Sequence, residues 1–222
     1  MKNEKKILNE TIEVQGKEIN NLKNENKLLN EKIEEQKKEC KYPRIITDIM
    51  KSNEKFLIFS EIEKRMNKKI KQIKKLYQAT IDGGDSINFH KKCDNISNTL
   101  ILIKSEGKRR FGGFTPIAWK SEDDFKLIKD PENKTFIFSL DNKKIYSLKT
   151  KDSTAVTHYI YDGPCFGYKD INIWGNPIKT DGLYTIQDDF DYKGDIKALS
   201  EFVYQNIKIN EYEVFHVKFY KK

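Results

Sequence analysis

Two groupings in this chain have residue types and spacings that invite chemistry. In Phe89-His90-Lys91-Lys92-Cys93-Asp94 a histidine and a cysteine stand three apart, and on a helix that spacing sets an imidazole beside a thiol, as a zinc site or an activated thiolate requires. Zinc needs two further ligands, yet His158 and His216 fall in strand-like alternations, and Cys40, Cys93 and Cys165 contain no CxxC pair. The same residues suit a helix that packs Phe89 and Cys93 inward while His90 or Asp94 satisfies backbone donors. A thiol-dependent antioxidant activity of Cys93 or Cys165 demands exposure and a lowered pKa. The second grouping, Asp189-Phe190-Asp191-Tyr192-Lys193-Gly194, places carboxylates at alternate positions as a calcium loop does. Lys193 then takes the place of the third oxygen ligand, and Ser200 the twelfth position that needs a bidentate Glu. It reads as an acidic surface loop.

The glycines of Gly112-Gly113 and Gly163 to Gly167 open no GxGxxG or P-loop pattern and read as bulges and turns. No GxSxG-type nucleophile signature is present. The sequence therefore assigns no catalytic residue, no metal ligand and no cofactor. Its remaining charged feature is a run of ten basic and four acidic side chains over residues 44–75, against near balance on either side in a chain whose net charge is +8. Such a cluster attracts phosphates or an acidic protein.

The elements that would position these residues follow from periodicity. With 37% hydrophobic and 34% charged residues, one compact core can hardly use the whole chain. The 13 Phe, 11 Tyr and 2 Trp exceed what a disordered polyampholyte carries. Residues 1–41 hold heptads: Ile12, Ile19, Asn26, Ile33 and Cys40 at position a, and Leu8, Gln15, Leu22, Leu29 and Gln36 at d. Ile at a with Leu at d favours a parallel pair, and Asn26 finds its best partner in its own copy. A short, marginal homodimer through Leu8, Ile12, Ile19, Leu22, Asn26, Leu29 and Ile33 is expected, the alternative being a solvated single helix. Pro43 closes the segment.

Beyond it, Ile62, Met66, Ile70, Ile73 and Tyr77 recur at spacings of three and four. This predicts a long helix with Ser60 as N-cap and Glu63 completing a capping box. Its other face would carry Lys64, Arg65, Lys68, Lys71, Lys74 and Lys75 as a partner-binding basic surface. A brief helix capped by Asp85 or Ser86 is expected over Asp85 to Cys93. Strands are expected over Thr99 to Ile103, around Phe136, Phe138 and Leu140, around Val156, His158 and Ile160, and around Phe215, Val217 and Phe219. Turn residues between them favour antiparallel pairing.

These blocks resemble the TLDc domain. Leu76 to Gly83, Phe89 to Asp94 and Thr99 to Lys104 resemble its opening. Arg110-Phe111-Gly112-Gly113-Phe114-Thr115 with Trp119, Phe136 to Leu140, Gly163-Pro164-Cys165-Phe166-Gly167 with Asp170-Ile171, and Glu211 to Phe215 follow in order. Gly83, Phe89, Cys93, Gly112, Gly113, Trp119, Gly163, Phe166 and Gly167 are its structural positions here. Tyr168-Lys169-Asp170 departs from the family's Gly-rich run ending in His-Asp, and residues 173–202 have little family character.

The resemblance implies an α+β, mostly β fold: a two-sheet antiparallel β-sandwich flanked by a few helices, here preceded by a long N-terminal coiled-coil helix. The expected division is 1–41 coiled coil, 42–59 linker and start of a docking segment, and 60–222 TLDc-like domain. It further implies a non-enzymatic, intracellular interaction protein linked to oxidative-stress protection or to the V-ATPase. The expected location is the cytoplasm, with the nucleus as alternative, since no run approaches the roughly 20 apolar residues of a bilayer span. Salt-sensitive nucleic-acid binding through the basic run is the alternative function.

Overall fold

The computed structural model describes residues 2–180, 182–195, 199 and 206–221, and along the first helix the side chains of residues 15–34. By its contacts the chain divides into Met1–Tyr42 and Pro43–Lys222. The first unit is helix α1 (Lys2–Cys40), as the heptads predict. Its Ile19, Leu22, Leu29 and Ile33 side chains are exposed, and so is Asn26. Leu8 and Ile12 lie outside the described side chains.

In the second unit the elements run α2 (Lys55–Met66), β1 (Ile70–Gln78), α3 (Ala79–Asp82), α4 (Ser86–Cys93), β2 (Thr99–Ser105), β3 (Arg110–Thr115) and β4 (Lys126–Lys129). They continue with β5 (Phe136–Ser139), β6 (Lys144–Ser147), β7 (Thr154–His158), β8 (Asp162–Phe166), β9 (Ile171–Trp174), β10 (Leu183–Tyr184) and β11 (Ile209–Phe219). They form a six-stranded sheet, β1-β11-β2-β3-β5-β6, and a five-stranded sheet, β10-β9-β8-β7-β4. Every strand pair in both is antiparallel. The expected sandwich with few helices is the observed fold.

The long helix predicted from Ile62 to Tyr77 is not formed. α2 begins at Lys55 and stops at Met66, where Asn67 turns left-handed (φ 48°, ψ 41°), a conformation Asn tolerates at helix ends. Ser60 is no N-cap: it lies mid-helix and its Oγ donates to the Phe56 carbonyl at 2.6 Å. Glu63 instead receives the Ile70 amide at 3.0 Å and so ties the end of α2 to the start of β1. The misreading has a physical source. Register shifts between Ile70 and Gln72 and between Lys75 and Tyr77 each insert a residue into β1. Its buried residues Ile70, Ile73 and Tyr77 therefore recur at three and four, as they would on a helix.

The central strand β2 shows how the layers are built. Leu100, Ile101, Leu102 and Ile103 are all fully buried, which a two-residue alternation allows only if both faces of the sheet are covered. Ile101 and Ile103 join Phe111, Ile137, Tyr212 and Val214 in the core shared with Phe166, Ile171, Ile173 and Leu183 of the other sheet. The opposite face is covered by residues 43–66, whose Ile49, Ile58, Phe59 and Ile62 are buried and whose Arg65 lies 4.7 Å above the Phe136 ring. Arg110 fastens this cover. It holds both carboxylate oxygens of Glu54 at 2.8 and 2.9 Å and donates to the Ile49 carbonyl and to Asp141.

Gly112 and Gly113 are not a turn but the middle of β3. A Cβ at Gly112 would stand 1.9 Å from the Ile101 carbonyl oxygen, and one at Gly113 would stand 2.6 Å from the Phe166 ring. Bare backbone at Gly112 lets β3 lie close against β2 of its own sheet, and at Gly113 it lets Phe166 of the other sheet pack against the strand. Gly163 does sit at a register shift, between Asp162 and Cys165, and Gly167 (φ +65°) does turn the chain.

Candidate functional site

Helix α4 forms where Asp85 precedes it and buries one face, Phe89 and Cys93, in the inter-sheet core. Phe89 meets Trp119 and Tyr77 edge-on at 5.6 and 6.2 Å, and the Trp119 indole donates to Thr99 at 2.8 Å. His90, only 7% exposed, has its Nδ1 2.7 Å from Asp94 Oδ1. Its Nε2 lies 2.8 Å from the Asp162 carbonyl and 3.1 Å from the Tyr159 carbonyl. Every partner is an acceptor, so the doubly protonated ring is the satisfied form. Burial pulls its pKa down, but the Asp94 carboxylate and the two carbonyls outweigh it and hold it above the ordinary histidine value. Asp94, burial notwithstanding, is held below the usual carboxylate range by His90 and by Ser121.

His90 therefore fastens the β7–β8 turn to α4 and has no nitrogen left for a metal or a thiol. The inward packing of Phe89 and Cys93 is as the helix reading expects, and of its two candidates Asp94 satisfies a backbone donor, the Ser121 amide at 2.9 Å, while His90 faces backbone acceptors. Cys93 and Cys165 are fully buried, and burial raises both thiols well above the usual cysteine value. That is the reverse of a reactive thiolate. His158 lies against Trp119, ring centroids 6.2 Å apart, and His216 pairs with Lys74 across β1 and β11.

The acidic segment is likewise built into the scaffold. Asp189 accepts the amides of Thr154 at 2.7 Å and Tyr168 at 2.8 Å, and Asp191 accepts that of Lys193 at 2.9 Å. Asp170, pushed up to about 7 by burial, receives the amides of Asp188, Asp189 and Phe190. Ser200 lies outside the described residues. The six basic residues do not share a helix face, because Lys64 and Arg65 belong to α2, Lys71, Lys74 and Lys75 to β1, and Lys68 to the link between them. Arg65 turns inward to Glu61, the Asn133 and Thr135 carbonyls and Ser147, and Lys75 pairs with the buried Glu213. Lys64, Lys68, Lys71 and Lys74 remain exposed.

Sequence reasoning did not find a cleft of about 700 Å³ on the outer face of the five-stranded sheet. In β9, Ile171 and Ile173 face the core, so Asn172 and Trp174 face away from it. Pairing sets Tyr184 beside Asn172 and Asp162 beside Trp174. The turns on either side of β8 add Tyr159, Tyr161, Tyr168 and Lys169, and Phe125 precedes β4. Phe125 stacks on Tyr159 at 4.1 Å, while Tyr161 is 67% and Trp174 39% exposed. On the floor, Asp162 Oδ2 and Asn172 Oδ1 are buried without hydrogen-bond partners. Burial raises Asp162 to about 6, against the lowering influence of Lys169, Asn172 and His90. The available signal was the alternation Ile171-Asn172-Ile173-Trp174, with aromatic and polar residues outside and aliphatic ones inside.

The family model of the TLDc domain matches residues 45–218. The chain belongs to the TLDc-domain family. No curated protein matches the chain. The match begins inside the buried cover segment, upstream of α2. Among the described residues no helix is long and apolar enough to cross a membrane.

Proposed function

We propose that the chain is a non-enzymatic docking protein of the TLDc type, in which α1 pairs two copies and the β-body presents a surface to a protein partner. The observation that carries this reading is the contrast in exposure between groups. His90, Cys93, Cys165 and Asp170 are buried and committed to the scaffold, whereas Tyr161, Tyr168, Trp174 and Phe125 stand exposed together around one cleft. Exposed aromatic clusters mark interaction sites far more often than they serve folding. The exposed stripe of Ile19, Leu22, Leu29 and Ile33 supports pairing, because a parallel partner helix would hide it.

The family resemblance directs the search for a partner to the V-ATPase and to oxidative-stress defence, in the cytoplasm. The test has two arms. Light scattering of the 26.2 kDa chain should give a dimer mass that Ile19→Lys with Leu22→Lys reduces to the monomer; a concentration-independent monomer removes the pairing. Purified V-ATPase cytosolic sector passed over the immobilised chain should be retained saturably, and no retention at micromolar concentration removes that partner.

A further inference from the structure

We propose that the aromatic cleft on the outer face of the five-stranded sheet binds an arginine side chain carried by an extended segment of a partner protein. The inference rests on the docking reading and names the chemistry that the dock recognises.

The floor states what is missing. Asp162 and Asn172 are 6% and 4% exposed, and Asp162 Oδ2 and Asn172 Oδ1 both lack a donor. A buried acceptor without a donor is costly, and a buried carboxylate more so. The occupant that repairs this brings N–H groups and positive charge. The walls state the shape. Lys169 already holds its ammonium 5.7 Å from the Phe125 ring centre and 5.4 Å from that of Tyr168, so the ring faces at the mouth attract a cation. Lys169 forms no ion pair with Asp162, and the two floor acceptors stay open.

A guanidinium meets both demands. It is planar and stacks on rings, carries five N–H donors in a fixed fork, and is less strongly hydrated than an ammonium. Lysine brings a compact, strongly hydrated charge and fits less well. An acidic peptide or a nucleotide phosphate would set negative charge beside Asp162. The volume of about 700 Å³ exceeds one side chain and lies in the range of pockets that enclose a ligand with several groups. Flanking peptide residues would fill the remainder. Both acceptor atoms are shielded from solvent, so entry requires a side chain lining the cleft to rotate, and Tyr161, at 67% exposure, has room to do so.

The test titrates the full chain, in physiological salt, with the capped peptide acetyl-Gly-Gly-Arg-Gly-Gly-amide and with versions carrying citrulline, lysine or glutamate. Trp174 fluorescence is the readout, Trp119 being buried. A saturable change with the arginine peptide is expected, weakened about tenfold or more by citrulline, which keeps the shape and loses the charge. Asp162→Asn and Tyr161→Ala should each weaken it about fivefold or more, and Lys169→Met should strengthen it by removing the competing cation. Tyr161→Ala, at an exposed position, keeps the test open if Asp162→Asn does not fold. No saturable signal up to about 10 mM, equal binding of citrulline, or tighter binding of the glutamate peptide overturns the proposal. Undiminished partner retention by a folded Asp162→Asn chain would spare the docking reading and defeat this one.

Discussion

The two sheets of the body treat their outer faces in opposite ways. The six-stranded sheet is covered on both sides, by the other sheet and by residues 43–66, and reads as unbroken apolar runs such as Leu100-Ile101-Leu102-Ile103. The five-stranded sheet is apolar only toward the core. Its other face carries Asn172, Trp174 and Tyr184, and beside them Asp162 is buried with an unsatisfied oxygen. One sheet is optimised for stability; the other keeps an unfavourable group where a ligand can reach its surroundings. Natural folds retain such groups chiefly where function uses them.

The sharpest way to break this comparison is to insert a methyl group between β3 and β2 of the six-stranded sheet. Gly112→Ala should cost about 3 kcal/mol or more, because the obstacle 1.9 Å away is the backbone oxygen of Ile101 and cannot rotate aside. The denaturant midpoint measures it; a cost under about 1 kcal/mol would show that β2 and β3 are not so closely set. Arg110→Ala should follow, at roughly 2–4 kcal/mol, since it strands the buried Glu54 carboxylate and releases the cover of the six-stranded sheet. Protease sensitivity should then appear first in residues 43–66.

On the five-stranded sheet the sign should reverse. The folded pKa of Asp162 is raised to about 6 from 3.8, so the native state binds the proton more tightly than the unfolded state. The charged form therefore costs stability as pH rises from about 4 to above 6. Asp162→Asn should gain about 1–2 kcal/mol above pH 7, after discounting for incomplete burial, and little below pH 4. A loss at pH 7.5 would mean that the carboxylate is satisfied in solution.

Smallest is the effect of the His90–Asp94 pair. The raised His90 pKa gives stability that is full below about 6.5 and is lost as pH rises through the folded value. The lowered Asp94 pKa gives stability present above 3.8 and lost as pH falls through its folded value. The pair should contribute most between those limits. His90→Gln should remove the alkaline inflection from thermal melts, and a melt that keeps it would assign it to another group.

How far all this could be read in advance differs by element. The heptads of α1, the buried run of β2 and the Asp85-led α4 announced themselves, because each depends on neighbours within a few residues. The extent of α2 and β1 did not. Ile70, Ile73 and Tyr77 satisfy helical spacing as well as they satisfy a doubly bulged strand, and the choice falls to β11, whose Phe219 and Val217 pair with Ile70 and Ile73 from the far end of the chain. With that choice the supposed basic face of Lys64 to Lys75 came apart.

The cleft was less legible still. Aromatic residues spread from Phe125 to Tyr184 look, in one dimension, like core, and only the registers of β8, β9 and β10 gather them on one outward face. The amino-acid order alone settled the class of fold, the family blocks and the helical state of α1, since local periodicity and ordered motifs are short-range properties. Which faces are covered, that His90 braces a turn, and that Asp162 lines an aromatic cleft were decided by pairings between distant strands, which no local pattern encodes.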